Sequence, residues 1–359
     1  MKVVTMGELM LRLMPEGHHR FVQVNNFNAE FGGAEANVAV SLAQFGCDSY
    51  FVSKFPQNEI GQSAINSIRR FGVKTDFVLR GGDRLGIYFL EKGASQRGSL
   101  CIYDRKGSAF AESSVSDYDW EGIFKGAKWF HITGVTPALG KKTSALAIEA
   151  CKAAKKAGCT ISCDLNYRSK LWTKAQAKKT MSEIAKYVDV CIANEEDALN
   201  VFGIKTHKTN VDNGIIDKDA YVKTAELLAK NYGFKKVAIT LRQSINADNN
   251  NWSALLYDGK EAVFSREYAI HIVERVGAGD AFAAALIFAL MKQGEAKNAD
   301  IDIDCATNGS DFYRTNQDVI EFASAAGCLK HSIEGDFNLV SEQEVLRLVT
   351  SGGTGRISR

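Results

Sequence analysis

The chain has 359 residues, of which 45% are hydrophobic and 24% are charged, a composition typical of globular proteins. Its net charge of +2 offers no strongly basic surface, so we expect no nucleic-acid partner. The longest apolar stretch, residues 281–291, is too short to cross a bilayer, and no secretory signal is recognisable, so we expect a cytoplasmic protein without a membrane anchor. The eight cysteines include no Cys-x-x-Cys pair, which indicates reduced, buried thiols.

Short apolar strands alternate with helices that end at a glycine along most of the chain. A strand is predicted over residues 2–6, a helix over 37–45, a strand over 49–53 and a helix over 61–71. The same alternation continues through residues 127–132, 142–157, 160–165, 175–187, 190–193, 220–231 and 236–241. Strands separated by helices predict a parallel sheet that is covered on both faces.

Residues 86–105 interrupt this alternation. Two strand-like segments, 86–91 and 99–104, are joined by a short connection without a helix, which predicts a hairpin. Because a hairpin has no place in a parallel sheet, we expect it to form a small separate lid sheet with residues 9–31. The exposed edges of such a sheet favour a homo-oligomer, a dimer or larger, in which a second subunit covers them.

The remaining segments show no further domain. After the apolar helix, residues 294–316 are predicted to be a long polar surface loop. Its acidic residues, 300–304, lack the glycine and the closing glutamate of a calcium-binding loop, so we expect no metal there. Residues 351–359 are predicted to be a flexible tail, and residues 1–359 a single domain.

The strongest chemical signal is the run Gly277-Ala278-Gly279-Asp280 directly before the apolar helix. Small residues allow a ligand to approach the backbone, and the first N–H groups of a helix attract an anion such as a phosphoryl group. Asp280 would face the same place and could accept a proton from an attacking hydroxyl. A simple helix cap is an equally good interpretation of this run alone. Neither a dinucleotide fingerprint nor a Walker loop is present.

A second glycine signature, Gly32-Gly33-Ala34-Glu35-Ala36-Asn37, lies near the N-terminus. With both signatures in this order, the chain resembles the ribokinase-like (PfkB) carbohydrate kinases, and within them the 2-keto-3-deoxygluconate kinases. The resemblance extends from Gly7 to about Asn338. It implies an α/β fold, a three-layer α/β/α sandwich with a mostly parallel central sheet and a small β-sheet lid.

The resemblance also implies roles for individual residues. Asp280 would be the catalytic base, and the amides of Gly277, Ala278 and Gly279 would form an anion hole for the transferring phosphoryl group. Asn194 and Asp197 would organise Mg²⁺ through water, although the family has glutamate at the second position. The residues implied in nucleotide binding are Asn194, Thr240, Arg242, Gly277, Gly279 and Asn338. The implied cofactors are ATP, Mg²⁺ and a monovalent cation such as K⁺.

The substrate assignment depends on a further set of matching residues. These are Gly33, Tyr88, Tyr103, Arg105, Arg168 and Asp280. Two arginines suit a sugar acid because the guanidinium group matches a carboxylate, although both could instead form exposed ion pairs at the surface. The implied reaction is ATP-dependent phosphorylation of the terminal hydroxyl of 2-keto-3-deoxygluconate. The alternatives are another sugar, such as fructose or a ketodeoxy-sugar-acid epimer, and a non-catalytic sugar-binding relative.

Overall fold

The computed structural model describes residues 1–194, 196–205, 217–298 and 312–352. Its strands are β1 (Lys2–Met6), β2 (Met10–Met14), β3 (Asn28–Gly32), β4 (Asp48–Phe55), β5 (Val78–Arg80), β6 (Ile87–Glu91), β7 (Leu100–Asp104), β8 (Trp129–Thr133), β9 (Thr160–Asp164), β10 (Val190–Ala193), β11 (Lys236–Ser244), β12 (Asn249–Tyr257), β13 (Ala262–Phe264) and β14 (Tyr268–His271). Its helices are α1 (Ala34–Gln44), α2 (Glu59–Arg69), α3 (Trp120–Phe124), α4 (Val135–Ala138), α5 (Lys141–Lys156), α6 (Lys174–Ala185), α7 (Asp197–Phe202), α8 (Lys218–Tyr232), α9 (Ala278–Asn298), α10 (Asn316–Lys330) and α11 (Glu342–Ser351).

The central sheet has ten strands in the order β13-β12-β11-β10-β9-β8-β1-β4-β5, with β14 paired to β12. Every pair from β11 to β5 is parallel, which confirms the sheet predicted from the alternation of strands and helices. Strand β12 runs antiparallel to β11, β13 and β14. The sequence pattern does not predict this extension, because no helix separates these strands.

Each face of the central sheet has its own apolar core. Successive residues of a strand point to opposite faces, and accordingly Val4 packs with Leu146 of α5 while Val3 packs with Phe282 of α9 and Phe322 of α10. Helices therefore cover both faces, and the three-layer sandwich is confirmed.

Helix α9 begins at Ala278 and continues to Asn298. The predicted surface loop over 294–316 is therefore wrong at its start, because the helix continues through Gly294; residues 299–311 lie outside the described residues. Residues 353–359 of the predicted tail also lie outside them. None of the helices in the described ranges has both the length and the apolar character required to span a membrane.

The second sheet has four strands in the order β3-β2-β6-β7 and is separate from the first, as the hairpin predicted. We call it the lid sheet. Its inner face carries the buried cluster of Met10, Met14, Tyr88 and Leu90.

A buried cluster of charges joins the lid sheet to the main body. The guanidinium group of Arg12 on β2 is fully buried and donates to Asp336 Oδ1 at 2.5 Å and to Glu274 Oε2 at 2.5 Å. Tyr88 Oη on β6 donates to the other oxygen of Asp336 at 2.6 Å. Burial alone would lower the pKa of Arg12, but the two carboxylates raise it, so the group stays charged. We call these four residues the Arg12 cluster.

Candidate active site

A cavity of about 1110 Å³ lies between the lid sheet and the carboxyl ends of several parallel strands. This edge of an open α/β sheet is where ligands usually bind. The cavity is lined by the predicted residues Gly33, Tyr88, Tyr103, Arg105, Arg168, Asn194, Thr240, Arg242, Gly277, Gly279 and Asp280. The predicted residues Ala278, Asp197 and Asn338 are buried and do not line it.

Asp280 lies in the first turn of α9, and its carboxylate accepts a hydrogen bond from Asn37 Nδ2 at 2.7 Å. Burial raises the pKa of Asp280 to about 7. The carboxylates of Asp336 and Glu35 act in the same direction, whereas the hydrogen bond from Asn37 favours the charged form. A carboxylate with this pKa can accept a proton near neutral pH, as a general base must.

Asn37, which the sequence analysis did not single out, connects the two glycine signatures. Its side chain is 2% exposed, and its Oδ1 accepts the N–H of Gly33 at 3.3 Å while its Nδ2 donates to Asp280. A cue was available, because Asn37 stands inside the first signature.

The backbone at the start of α9 is open to an anion. The first helical hydrogen bond runs from Ala281 N–H to the carbonyl of Gly277 at 2.8 Å, so the helix itself uses none of the amides of residues 278–280. Gly277 has φ +85°, and a Cβ there would collide with the carbonyl oxygen of Asp336. Only glycine fits this turn, which brings the amides to the cavity.

The predicted substrate residues on the lid sheet form one layer of the cavity wall. Tyr88 stacks on Tyr103 with ring centroids 5.9 Å apart, and the guanidinium carbon of Arg105 lies 5.6 Å from the centre of the Tyr103 ring. Arg105 Nε donates to Glu8 Oε2 at 2.8 Å, and Nη2 contacts the same oxygen. Because both side chains of this pair are nearly buried, the alternative of an exposed ion pair is wrong for Arg105.

Arg168 lies at the exposed side of the cavity. Its Nη1 donates to the carbonyl of Tyr167 at 3.1 Å, and within the described ranges it forms no ion pair closer than 4.0 Å. Burial raises the pKa of Asp164 and Asp280, and the positive charge of Arg168 lowers both values. Its charge therefore faces the cavity.

The predicted metal residues Asn194 and Asp197 are engaged with the backbone. Asp197 accepts the N–H groups of Tyr167 at 3.0 Å and Asn194 at 3.1 Å, while Asn194 Oδ1 accepts those of Glu196 at 2.9 Å and Asp197 at 3.1 Å. These contacts hold Asn194 and Asp197 in place after β10. The role of both residues toward Mg²⁺ stays a prediction.

The nucleotide residues are divided between the cavity and the interior. Thr240 and Arg242 lie on β11 in the cavity wall, and the guanidinium carbon of Arg242 is 5.4 Å from the centre of the Trp252 ring. Asn338 is 1% exposed, and its side-chain nitrogen and oxygen have no hydrogen-bond partner among the described residues. Nucleotide contact by Asn338 stays a prediction, since its side chain does not line the cavity.

Asp164, at the end of β9, is an additional cavity carboxylate. Burial raises its pKa, as do the nearby carboxylates of Asp197 and Asp280, while Oδ1 accepts the N–H of Asn166 at 3.1 Å. A bound cation would relieve this repulsion, and carboxylate oxygens are ligands that Mg²⁺ prefers. The donor set therefore fits Mg²⁺. Glu8 follows the predicted strand 2–6 and Asp164 lies near the end of the predicted strand 160–165, so the position of each residue is a sequence cue to the site.

The described residues contain no group of three or more His, Cys, Asp or Glu side chains arranged to hold a metal ion. A half-buried carboxylate at a helix start, beside free amides and below a lid, provides the parts that phosphoryl transfer requires. The family model described as pfkB family carbohydrate kinase matches residues 1–330, and the chain belongs to that family. It is a carbohydrate kinase, as the two glycine signatures predicted.

Three known proteins illustrate the similarity. The crystal structure of 2-dehydro-3-deoxygluconokinase from Thermotoga maritima is 48% identical, covers 98% of this chain and 99% of its own, and has a TM-score of 0.88. The 2-dehydro-3-deoxygalactonokinase of Haloferax volcanii is 28% identical over 99% of this chain and 98% of its own. An Escherichia coli structure described as a putative ribokinase II in complex with ATP and Mg²⁺ shares the fold, with 19% identity, a TM-score of 0.73, and coverage of 98% and 99%.

The raised pKa of Asp280 predicts an acid limb in the pH profile. Protonation removes the base, so kcat/KM should fall about tenfold per pH unit below about pH 7. Asn37→Leu removes a hydrogen bond that favours the charged form and should move this limb upward by about one pH unit. The measurement is kcat/KM from pH 5.5 to 9. Asn66→Leu, at an exposed position on α2, is the control and should leave the acid limb unchanged. If Asn37→Leu also leaves the acid limb unchanged, the hydrogen bond from Asn37 does not set the pKa of Asp280.

Proposed function

We propose that this kinase transfers the γ-phosphoryl group of ATP to the terminal hydroxyl of 2-keto-3-deoxygluconate. The observation that carries the proposal is one cavity lined by the half-buried carboxylate of Asp280, an open helix start, and the arginines Arg105 and Arg168. The similarity to the Thermotoga maritima 2-dehydro-3-deoxygluconokinase, at 48% identity over 98% of this chain, supports the same substrate.

The transfer requires one proton acceptor and one region of positive potential. The sugar oxygen attacks the γ-phosphorus and forms a new O–P bond, while the bond from that phosphorus to the β–γ bridging oxygen breaks and ADP leaves. Asp280 accepts the proton of the hydroxyl. The amides at the start of α9, beside Gly277 and Gly279, stabilise the negative charge on the transferring group.

ATP and Mg²⁺ are general cofactors of the family. In this chain Asp164, with Asn194 and Asp197, would hold Mg²⁺, which neutralises phosphate charge when bound. A need for a monovalent cation such as K⁺ stays a prediction, as do the cytoplasmic location, the absence of a nucleic-acid partner and the single domain.

A sugar acid fits the charges of the cavity better than a neutral sugar does. The charge of Arg105 is already balanced by Glu8, whereas Arg168 forms no ion pair closer than 4.0 Å in the part of the chain described. A substrate carboxylate would provide Arg168 with a counter-charge. The epimer 2-keto-3-deoxygalactonate is the second candidate, because the Haloferax volcanii 2-dehydro-3-deoxygalactonokinase matches 99% of this chain.

Asp280→Asn should abolish most of the activity. Removal of a general base typically reduces the rate by between about 10² and 10⁴. The assay couples ADP formation to NADH oxidation over a panel of both ketodeoxy-sugar acids, fructose and ribose. Asp48→Asn, at a half-exposed position paired with Lys74, is the control and should retain activity. Full turnover by Asp280→Asn would contradict the mechanism, and a preference for fructose would contradict the substrate.

Arg168→Gln should weaken binding of the acid selectively. Loss of one charge-assisted hydrogen bond corresponds to an increase in KM of between about 10-fold and 100-fold. The same variant should leave the carboxamide analogue of the sugar acid within about twofold of wild type, because that analogue has no charge. Arg80→Gln, on β5, serves as the control. An equal loss for acid and carboxamide would argue against a carboxylate contact.

We propose that the lid sheet forms a homodimer through its outer face. Cross-strand register places the apolar side chains of Leu13, Phe89 and Ile102 in one row opposite the buried inner face, and Ile102 is 47% exposed. An apolar sheet face with this exposure suits a second copy of itself. Leu13→Asp with Ile102→Asp should halve the mass measured by light scattering, whereas Ile60→Asp on α2, 50% exposed, should not. A monomeric wild type would exclude the dimer.

A further inference from the structure

Lys330, the last residue of α10, is fully buried. Its ammonium group donates to the carbonyl oxygens of Ile333 at 3.0 Å and Gly335 at 2.8 Å. Among the described residues no carboxylate oxygen lies within 4.0 Å of this nitrogen, so the charge has no direct ion pair. A buried charge without an ion pair is costly, and its presence here calls for a compensating role.

The position of Lys330 is next to the anion hole. Its Cε lies 3.2 Å from the point that a Cβ of Gly277 would occupy. The turn that its ammonium group binds, residues 333–335, leads directly into Asp336, whose carbonyl oxygen abuts the same glycine. Lys330 therefore supports Gly277 both by contact and through this turn.

The charges that influence Lys330 come from distant parts of the chain. Glu274, Asp336 and Asp280 favour its protonated form, and Arg12 disfavours it. The adjacent His331 is neutral, because burial lowers its pKa to about 3. Burial lowers the pKa of Lys330 to about 8, so the side chain is an ammonium ion at neutral pH.

We propose that Lys330 is a built-in cation of the anion hole: its ammonium group fixes the 333–335 turn behind Gly277 and adds positive charge where the transferring phosphoryl group becomes negative. It is a positioning residue, since its hydrogen bonds go to the turn and not to the substrate. This proposal replaces the predicted monovalent cation such as K⁺, because the protein itself supplies the charge and no added cation is required there. The inference depends on the kinase class and not on the identity of the sugar.

The wild-type enzyme provides the first test, without any risk of misfolding. With the best substrate of the sugar panel and constant ionic strength, kcat should agree within about twofold in potassium, sodium and tetramethylammonium chloride. Activation of tenfold or more by K⁺ over tetramethylammonium would overturn the proposal. Because any phosphorylated sugar can be used, this outcome is separate from the substrate assignment.

Variants provide the second test. Lys330→Ala should reduce kcat about 100-fold, comparable to the loss of one oxyanion-hole donor, with little change in KM for the sugar. NH₄⁺ or K⁺ should raise the kcat of Lys330→Ala at least tenfold, because either cation can occupy the space beside the two carbonyl oxygens. Lys330→Met fills that space and should not be rescued. The proposal would be overturned if Lys330→Ala kept the activity of wild type, or if it lost activity that neither NH₄⁺ nor K⁺ restored.

Two controls separate the local charge from general stability. Lys155→Met removes another cation, whose ammonium group donates to Asp189 at 2.9 Å and not to the turn, and it should stay within about threefold of wild type. In Lys330→Arg the charge does not titrate, so the alkaline limb expected near pH 8 in wild type should disappear. If the alkaline limb is absent in wild type, or persists in a folded Lys330→Arg variant, then Lys330 does not provide the charge that the proposal requires.

Discussion

Asp336 stands where three parts of the chain meet, and its buried ion pair with Arg12 holds them together. Its carboxylate also accepts Tyr88 of the lid sheet and lies against Gly32, where no Cβ would fit. Its carbonyl oxygen occupies the corresponding space beside Gly277. Breaking a buried pair by removing one partner typically costs about 3–5 kcal/mol. The lid sheet and both glycine turns thus depend on one side chain and its neighbouring carbonyl.

Repulsion among carboxylates gives the cavity its chemistry. Burial, Asp336 and Glu35 raise the pKa of Asp280, and Asp280 in turn raises that of Asp164. Such a group of acids disfavours any anion, yet the enzyme must admit a nucleotide and, under our proposal, a sugar acid. Positive charge from the helix start, from Arg168 and from Mg²⁺ therefore has to offset it. Burial, together with this repulsion, raises the pKa of Asp280 to about 7.

The sequence predicts regular patterns well and distant contacts poorly. The alternation of strands and helices predicted the parallel sheet, the missing helix between β6 and β7 predicted the lid sheet, and the second glycine signature predicted Asp280 at a helix start. The length of α9 was underestimated, because Gly294 does not end the helix.

No local sequence motif marks residues whose role depends on distant partners. Asp336 and Lys330 acquire their roles only when the turn after α10 packs against Gly277. Asn194 and Asp197 show a different limit, since the same spacing of an amide and a carboxylate suits a loop cap as well as a metal site. In the folded chain their oxygens accept backbone N–H groups and so form the cap, while the role of both residues toward Mg²⁺ stays a prediction.

The ion pair between Arg12 and Asp336 joins residues 324 positions apart. A ribosome adds about 5–20 residues per second, so Arg12 emerges roughly 20 to 60 s before its partner exists. During this interval the apolar inner face of the lid sheet has nothing to pack against, and the guanidinium group stays in water. Synthesis of nearly the whole chain therefore precedes closure of the cavity, and a nascent chain released early would expose this sheet to chaperones and proteases.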